Sequence, residues 1–97
     1  MPYKIELHPE AVAEASAARF WYAERSADVA TAFADALDHA MAMIADLPKT
    51  WAPHTHGTRR YLIAKFPYAV VYRVRGKAVE VVAIAHQRRR PGYWSER

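Results

Sequence analysis

The sequence predicts an α+β fold of order β-α-α-β-β-β, a mostly antiparallel sheet of three to four strands packed on an antiparallel helical hairpin. Three observations carry this. Apolar residues recur at helical spacing in two runs of the first half, on either side of a break at Arg25-Ser26. A short alternating segment precedes both runs. From Tyr61 onward the composition changes to β-branched and aromatic residues, which suit strands. With 97 residues, the chain reads as a single domain spanning 1–97, large enough for one two-layer core.

Tyr3 to Leu7 alternates Tyr, Ile and Leu with Lys and Glu, as a short strand does. His8-Pro9-Glu10 opens the first helix. Proline suits its first position, and Glu10 and Glu14 complement the positive helix N-terminus. Ala11, Ala15, Ala18 and Tyr22 share one face, where small side chains let a neighbouring helix come close. Trp21 and Tyr22 close this helix as packing residues. Ser26 and Asp28 supply an N-cap and an acidic first turn for the second helix. In it Val29, Phe33, Leu37, Ala40, Met41, Ile44 and Leu47 recur with a 3.6-residue period. Pro48 ends it, and Pro48 to Thr58 has no period and reads as a loop.

Tyr61–Phe66 and Tyr68–Arg75 read as strands separated at Pro67, which cannot donate to a ladder. In the second, Tyr68, Val70, Tyr72 and Val74 lie on one face and Arg73 and Arg75 on the other. Gly76 supplies the tight turn that follows. Val79–Ala85 is almost wholly apolar, as expected of a strand buried on both faces in mid-sheet, with Val79, Val81 and Ala83 as its core stripe.

The absence of cysteine removes thiolate chemistry, disulfides and cysteine-ligated zinc. No apolar run approaches the ~20 residues of a membrane span, so a soluble cytoplasmic protein is expected. Charge is strongly divided. Residues 1–48 carry three cations against eight acids, a net of −5, whereas residues 49–97 carry eleven cations against Glu80 and Glu96, a net of +9. The basic half should attract an anionic partner, either nucleic acid or an acidic peptide.

The basic-aromatic tail, residues 88–97, lies beyond the last periodic strand, so the domain should fold without it. Arg88, Arg89 and Arg90 offer planar forks suited to phosphate or carboxylate, and Tyr93 and Trp94 offer stacking surface or interface anchors. Together with Arg59, Arg60, Lys65, Arg73 and Arg75 they form the expected partner-binding set. His86, where the last strand meets the tail, is either a proton-transfer group or a strand-end histidine bonded to a backbone carbonyl. His54 and His56 have no third ligand nearby, so no metal site is expected.

The segments HPEA, FWY, FPYAVVYRV and AIAHQRRRPGYW, in that order, resemble the RelE/ParE toxin family of type II toxin–antitoxin systems. That resemblance implies a cognate antitoxin with an acidic amphipathic segment, a hetero-oligomeric complex, no cofactor, and a role in growth inhibition and plasmid stabilisation. It also implies one of two targets. ParE-like members inhibit DNA gyrase without known cleavage, and RelE-like members are metal-independent endoribonucleases acting on ribosome-bound mRNA. In the RelE-like case His86, Arg88 and Tyr93 would be catalytic. The ribonuclease branch's strand arginine falls on Ala69, and its paired lysines fall near Leu62 and Ala64. The resemblance is therefore closer to ParE. The basic half alone would support a second alternative, a non-toxic nucleic-acid-binding module.

Overall fold

The structure is a computed structural model that describes residues 2–97. Its elements are β1 (Lys4–Leu7), α1 (Pro9–Ala23), α2 (Ala27–Asp46), β2 (Ala52–Pro53), β3 (Arg59–Leu62), β4 (Tyr68–Arg75) and β5 (Ala78–His86). Both helices start where the sequence signals them. His8 is extended and its Nδ1 accepts the Glu10 N–H at 3.1 Å, with Pro9 in the first turn. Ser26 is extended and its Oγ accepts the Val29 N–H at 3.3 Å. Between them the N–H groups of Glu24, Arg25 and Ser26 donate back to Phe20 and Tyr22 carbonyls, which closes a three-residue turn.

The sheet has five strands in the order β1-β5-β4-β3-β2, with β1 parallel to β5 and every other pair antiparallel. The extra strand is β2, inside the stretch expected to be a loop. Its Pro53 has no N–H to give, which an edge strand tolerates. The strand expected over Tyr61–Phe66 is instead β3, which starts two residues earlier and ends four earlier. Ile63 to Pro67 form the connection, with Lys65 at a φ of 69°. Ile63 and Phe66 are apolar because that connection turns into the core, not because they extend a ladder.

A β-bulge divides β5. Val71 faces Ala83, yet Tyr72 faces Val81, so Val82 is left over. Val79, Val81 and Ile84 consequently share the face beneath the helices, while Val82, Ala83 and Ala85 share the opposite one. The expected stripe of Val79, Val81 and Ala83 is thus split: Ala83 is buried, but on the other face.

The helix-side core gathers Phe33 and Ile44 with Val70, Tyr72 and the β5 stripe. Ala11, Ala18 and Ala40 let the helices approach it. The Tyr72 hydroxyl donates to the Pro48 carbonyl at 2.5 Å, and burial pushes its pKa up to about 12. On the opposite face the tail folds back over the sheet. Trp94 is only 3% exposed and covers Val71, Val82, Ala83 and Ala85. The expectation that the tail lies outside the core is therefore corrected. Valines on both faces of β4 and β5 create a second apolar patch, and no helix is available to bury it.

Candidate functional site

The edge of β5 organises the site. β1 stops at Leu7 opposite Val81, and the His8 N–H donates to the Val81 carbonyl at 2.9 Å. β5 continues to His86, so its outer edge runs on without a strand beside it. Two side chains take the place of that strand. Glu14 Oε1 accepts the Ile84 N–H at 3.0 Å, and Arg97 Nη1 donates to the Val82 carbonyl at 3.1 Å. An open ladder edge invites pairing with another chain, and here a carboxylate and a guanidinium occupy it.

Glu14 joins three elements. Its carboxylate receives Arg97 Nη1 at 2.8 Å and Nη2 at 3.1 Å, and the Tyr93 hydroxyl at 2.6 Å. Both members of the Glu14–Arg97 pair are only 15% exposed. The bond from Glu14 holds the Arg97 guanidinium above its ordinary pKa. Burial, reinforced by the bond to Glu14 and its charge, pushes the Tyr93 phenol well above the usual tyrosine range. That proton stays in place at neutral pH. Arg89 stacks on the Tyr93 ring at 3.8 Å, with its Nη1 4.0 Å from Glu14.

Beside this hub lies a cleft of about 490 Å³ between α1 and the open end of the sheet, with Trp21, Tyr22, Pro67, Tyr68, His86 and Arg89 among its walls. An aromatic chain underlies it. Tyr22 and Phe33 pack on Phe66 and on each other, and Tyr68 packs on Phe33, with centroids 5.2–5.5 Å apart, and Tyr68 meets His86 edge-on at 5.0 Å. Burial raises the pKa of both Tyr22 and Tyr68. At the cleft's α1 edge Trp21 is 50% exposed and its neighbour Phe20 67%, and the Arg25 guanidinium covers the Trp21 ring at 3.5 Å.

The expected site residues divide among several places. His86 is half-buried at the cleft, and its Nδ1 accepts the Arg88 N–H at 3.0 Å, which fixes the turn after β5. Arg88, Arg89 and Arg90 are exposed on that turn. Arg60 lies on the tail side of the sheet, in a small groove with Leu62, Gln87 and Arg89. Lys65 is exposed on the neighbouring connection. Arg59 donates to the Trp51 carbonyl at 2.7 Å, a structural contact. Arg73 is committed to Glu80 at 2.8 Å and to the Arg97 carbonyl at 2.6 Å, and Arg75 lies 3.5 Å from Glu80 at the far end of the sheet. Trp94, expected as exposed stacking surface, is buried and stacks on His54. Burial, then the charges of Arg60 and His56, lowers the His54 pKa. Among the described residues no group of three or more potential ligands is placed to hold a metal ion.

Glu14 is the residue that sequence reasoning missed, because it was assigned to the helix N-terminus. One signal pointed to it. It lies three residues after Ala11 and four before Ala18, on the buried alanine face, where a solitary carboxylate needs partners.

The family model for the ParE toxin of type II toxin–antitoxin system, parDE, matches residues 5–91. The chain belongs to the ParE toxin family. It is thus a toxin of a type II toxin–antitoxin system, a class that works opposite a cognate antitoxin. A solved chain from the "Chromosomal ParDE TA system from P. aeruginosa" shares the ParE fold. The TM-score is 0.74 at 18% identity, over 87% of this chain and 95% of that one. No curated protein matches significantly. Among the described residues, no helix is long and apolar enough to cross a membrane.

Proposed function

We propose that this ParE-family toxin is neutralised by an antitoxin segment seated in the α1–sheet cleft, and that it inhibits DNA gyrase in place of cleaving mRNA. The antitoxin proposal rests on the cleft's composition. Its aromatic and alanine walls continue into the exposed Trp21 and Phe20 of α1, which fit the apolar face of an amphipathic segment. Arg89, 55% exposed at its rim, fits an acidic residue on that segment's edge.

One observation carries the choice of target: apart from Arg88, which is present and exposed just after the end of β5, the groups a ribonuclease of this superfamily would need are absent or occupied. Ala69, in the position of the strand arginine, is buried between β3 and β5, and Leu62 projects an apolar side chain where a cation is required. Tyr93 is bound to Glu14 and holds its proton, and His86 Nδ1 already accepts a backbone N–H. Attack by a 2′-hydroxyl needs both proton transfer and charge stabilisation, and removing one such donor costs roughly 10²–10³ in rate.

The test uses the purified full chain in two assays, gyrase supercoiling and mRNA integrity on translating ribosomes. Supercoiling should stall while the message stays intact. Cuts in ribosome-bound message that disappear in His86→Ala or Arg88→Ala would overturn the reading and make those residues catalytic.

A further inference from the structure

We infer that the end of the sheet formed by the β3–β4 connection and the turn after β5 is a nucleic-acid phosphate site, which borders the apolar cleft at Pro67, His86 and Arg89. Four exposed cations meet there. Gln87 N–H donates to the Pro67 carbonyl at 2.8 Å, which ties the turn bearing Arg88 and Arg90 to the connection bearing Lys65. Arg60 reaches the same end through the groove it shares with Leu62 and Gln87. Among the described residues, Arg60, Lys65, Arg88 and Arg90 make no ion pair, whereas Arg73, Arg75, Arg89 and Arg97 all do. Glu14 cannot neutralise this end, because Arg97 and Tyr93 already occupy its oxygens. Glu96 lines one depression with Arg90 without reaching ion-pair distance.

A second observation is independent of charge. Lys65 has a φ of 69°, a backbone region that costs a side chain with a Cβ about 1–2 kcal/mol and that favours glycine or asparagine. The connection needs a left-handed residue, and the position carries a long cation.

The chemistry of the surface selects phosphate over an acidic protein. Protein interfaces are anchored by apolar and aromatic side chains at their centres. On this end Leu62, 56% exposed, is the single large apolar side chain among the exposed ones, and the exposed aromatics Phe20 and Trp21 belong to α1. Phosphate contacts need only cations and polar groups, and three of the four cations are arginines, whose forks accept phosphate oxygens in pairs. Duplex DNA and single-stranded RNA present the same phosphate chemistry. The proposal does not depend on whether gyrase is the cellular target.

The experiment is fluorescence anisotropy of the full chain with a labelled duplex DNA and a labelled single-stranded RNA, from 50 to 200 mM salt. With four contacts, duplex affinity should fall on the order of 10²-fold across that range. In the double variant Arg88→Ala/Arg90→Ala the slope of log K against log salt should flatten by about two. The double variant Lys4→Ala/Lys77→Ala removes equal charge from the opposite end and should leave the slope unchanged. The tighter of the two nucleic acids identifies the source of the phosphate. No binding at 50 mM salt, equal slope loss in both double variants, or preference for polyglutamate of matched charge would each overturn the site.

Discussion

Beneath the helices, Phe33, Ile44 and Tyr72 sit in a cluster of eleven buried residues drawn from both helices, the β3–β4 connection, β4 and β5; on the opposite face, Trp94, with the partly buried Tyr93 beside it, covers four small aliphatic side chains. The contrast extends to polar atoms. The Tyr72 hydroxyl has the Pro48 carbonyl, but the buried Trp94 Nε1 has no acceptor among the described residues. An unpartnered buried donor costs about 1–3 kcal/mol. The helix-side core thus holds through many apolar contacts. The tail side depends on one large ring, offset by an unsatisfied N–H, and on the bonds that Glu14 makes to Tyr93 and Arg97. A difference of this kind makes the first face the source of most of the stability and the second the more easily opened.

Truncations of the two large rings should show it. Phe33→Ala should cost about 3–5 kcal/mol in urea unfolding, in line with other buried aromatics. Trp94→Ala should cost less, about 2–3 kcal/mol, because it also removes the orphaned N–H. Trp94→Phe keeps a ring, loses that N–H, and should lie within about 1 kcal/mol of the parent chain. A Trp94→Ala loss as large as that of Phe33→Ala would break the comparison.

Glu14→Gln should cost about 2 kcal/mol, since it leaves the mostly buried Arg97 guanidinium with only the exposed Glu10 carboxylate, 3.8 Å away, as counter-charge. Adding Arg97→Met should recover part of that loss. A second substitution that made matters worse would show that Arg97 holds the edge of β5 through Val82 independently of Glu14.

Alkaline pH acts on the helix side. Tyr72 keeps its proton to about pH 12 in the fold but only to its ordinary 10.0 when unfolded. Its contribution to stability is therefore complete below pH 10 and is lost as pH rises toward 12, about 2–3 kcal/mol in all. Unfolding free energies measured at pH 8, 10 and 11 should fall, and should fall less in Tyr72→Phe. The smallest effect expected is a gain. Lys65→Gly should stabilise by about 0.5–1 kcal/mol by relieving its left-handed backbone, while weakening binding to duplex DNA.

The two faces also differ in how far the sequence disclosed them. Helical periodicity from Val29 to Leu47, the His8-Pro9 and Ser26 helix starts, and the Gly76 turn are local signals, and the corresponding elements form where they point. Strand β2 is two residues long and has no period to detect. The bulge at Val82 is invisible in a run where every neighbour is apolar, so the alternation alone puts Ala83 on the face opposite to the one it occupies. The tail reads as polar and charged because its burial rests on one ring and on partners 79 and 83 residues distant. His86, Arg88 and Arg89 were legible as a strand-end cluster. Glu14 was not legible as its anchor, because the Ile84 N–H that needs it exists only where β1 stops short of β5.

The most direct test of this two-faced organisation is urea unfolding of the chain ended after Arg90 beside the full chain. Loss of Trp94 and of the Tyr93 and Arg97 bonds to Glu14 should lower stability by about 3 kcal/mol or more and expose Val71, Val82 and Ala85 to a hydrophobic dye. An unchanged midpoint with no dye binding would contradict it, and would mean that the second face of the sheet needs no cover.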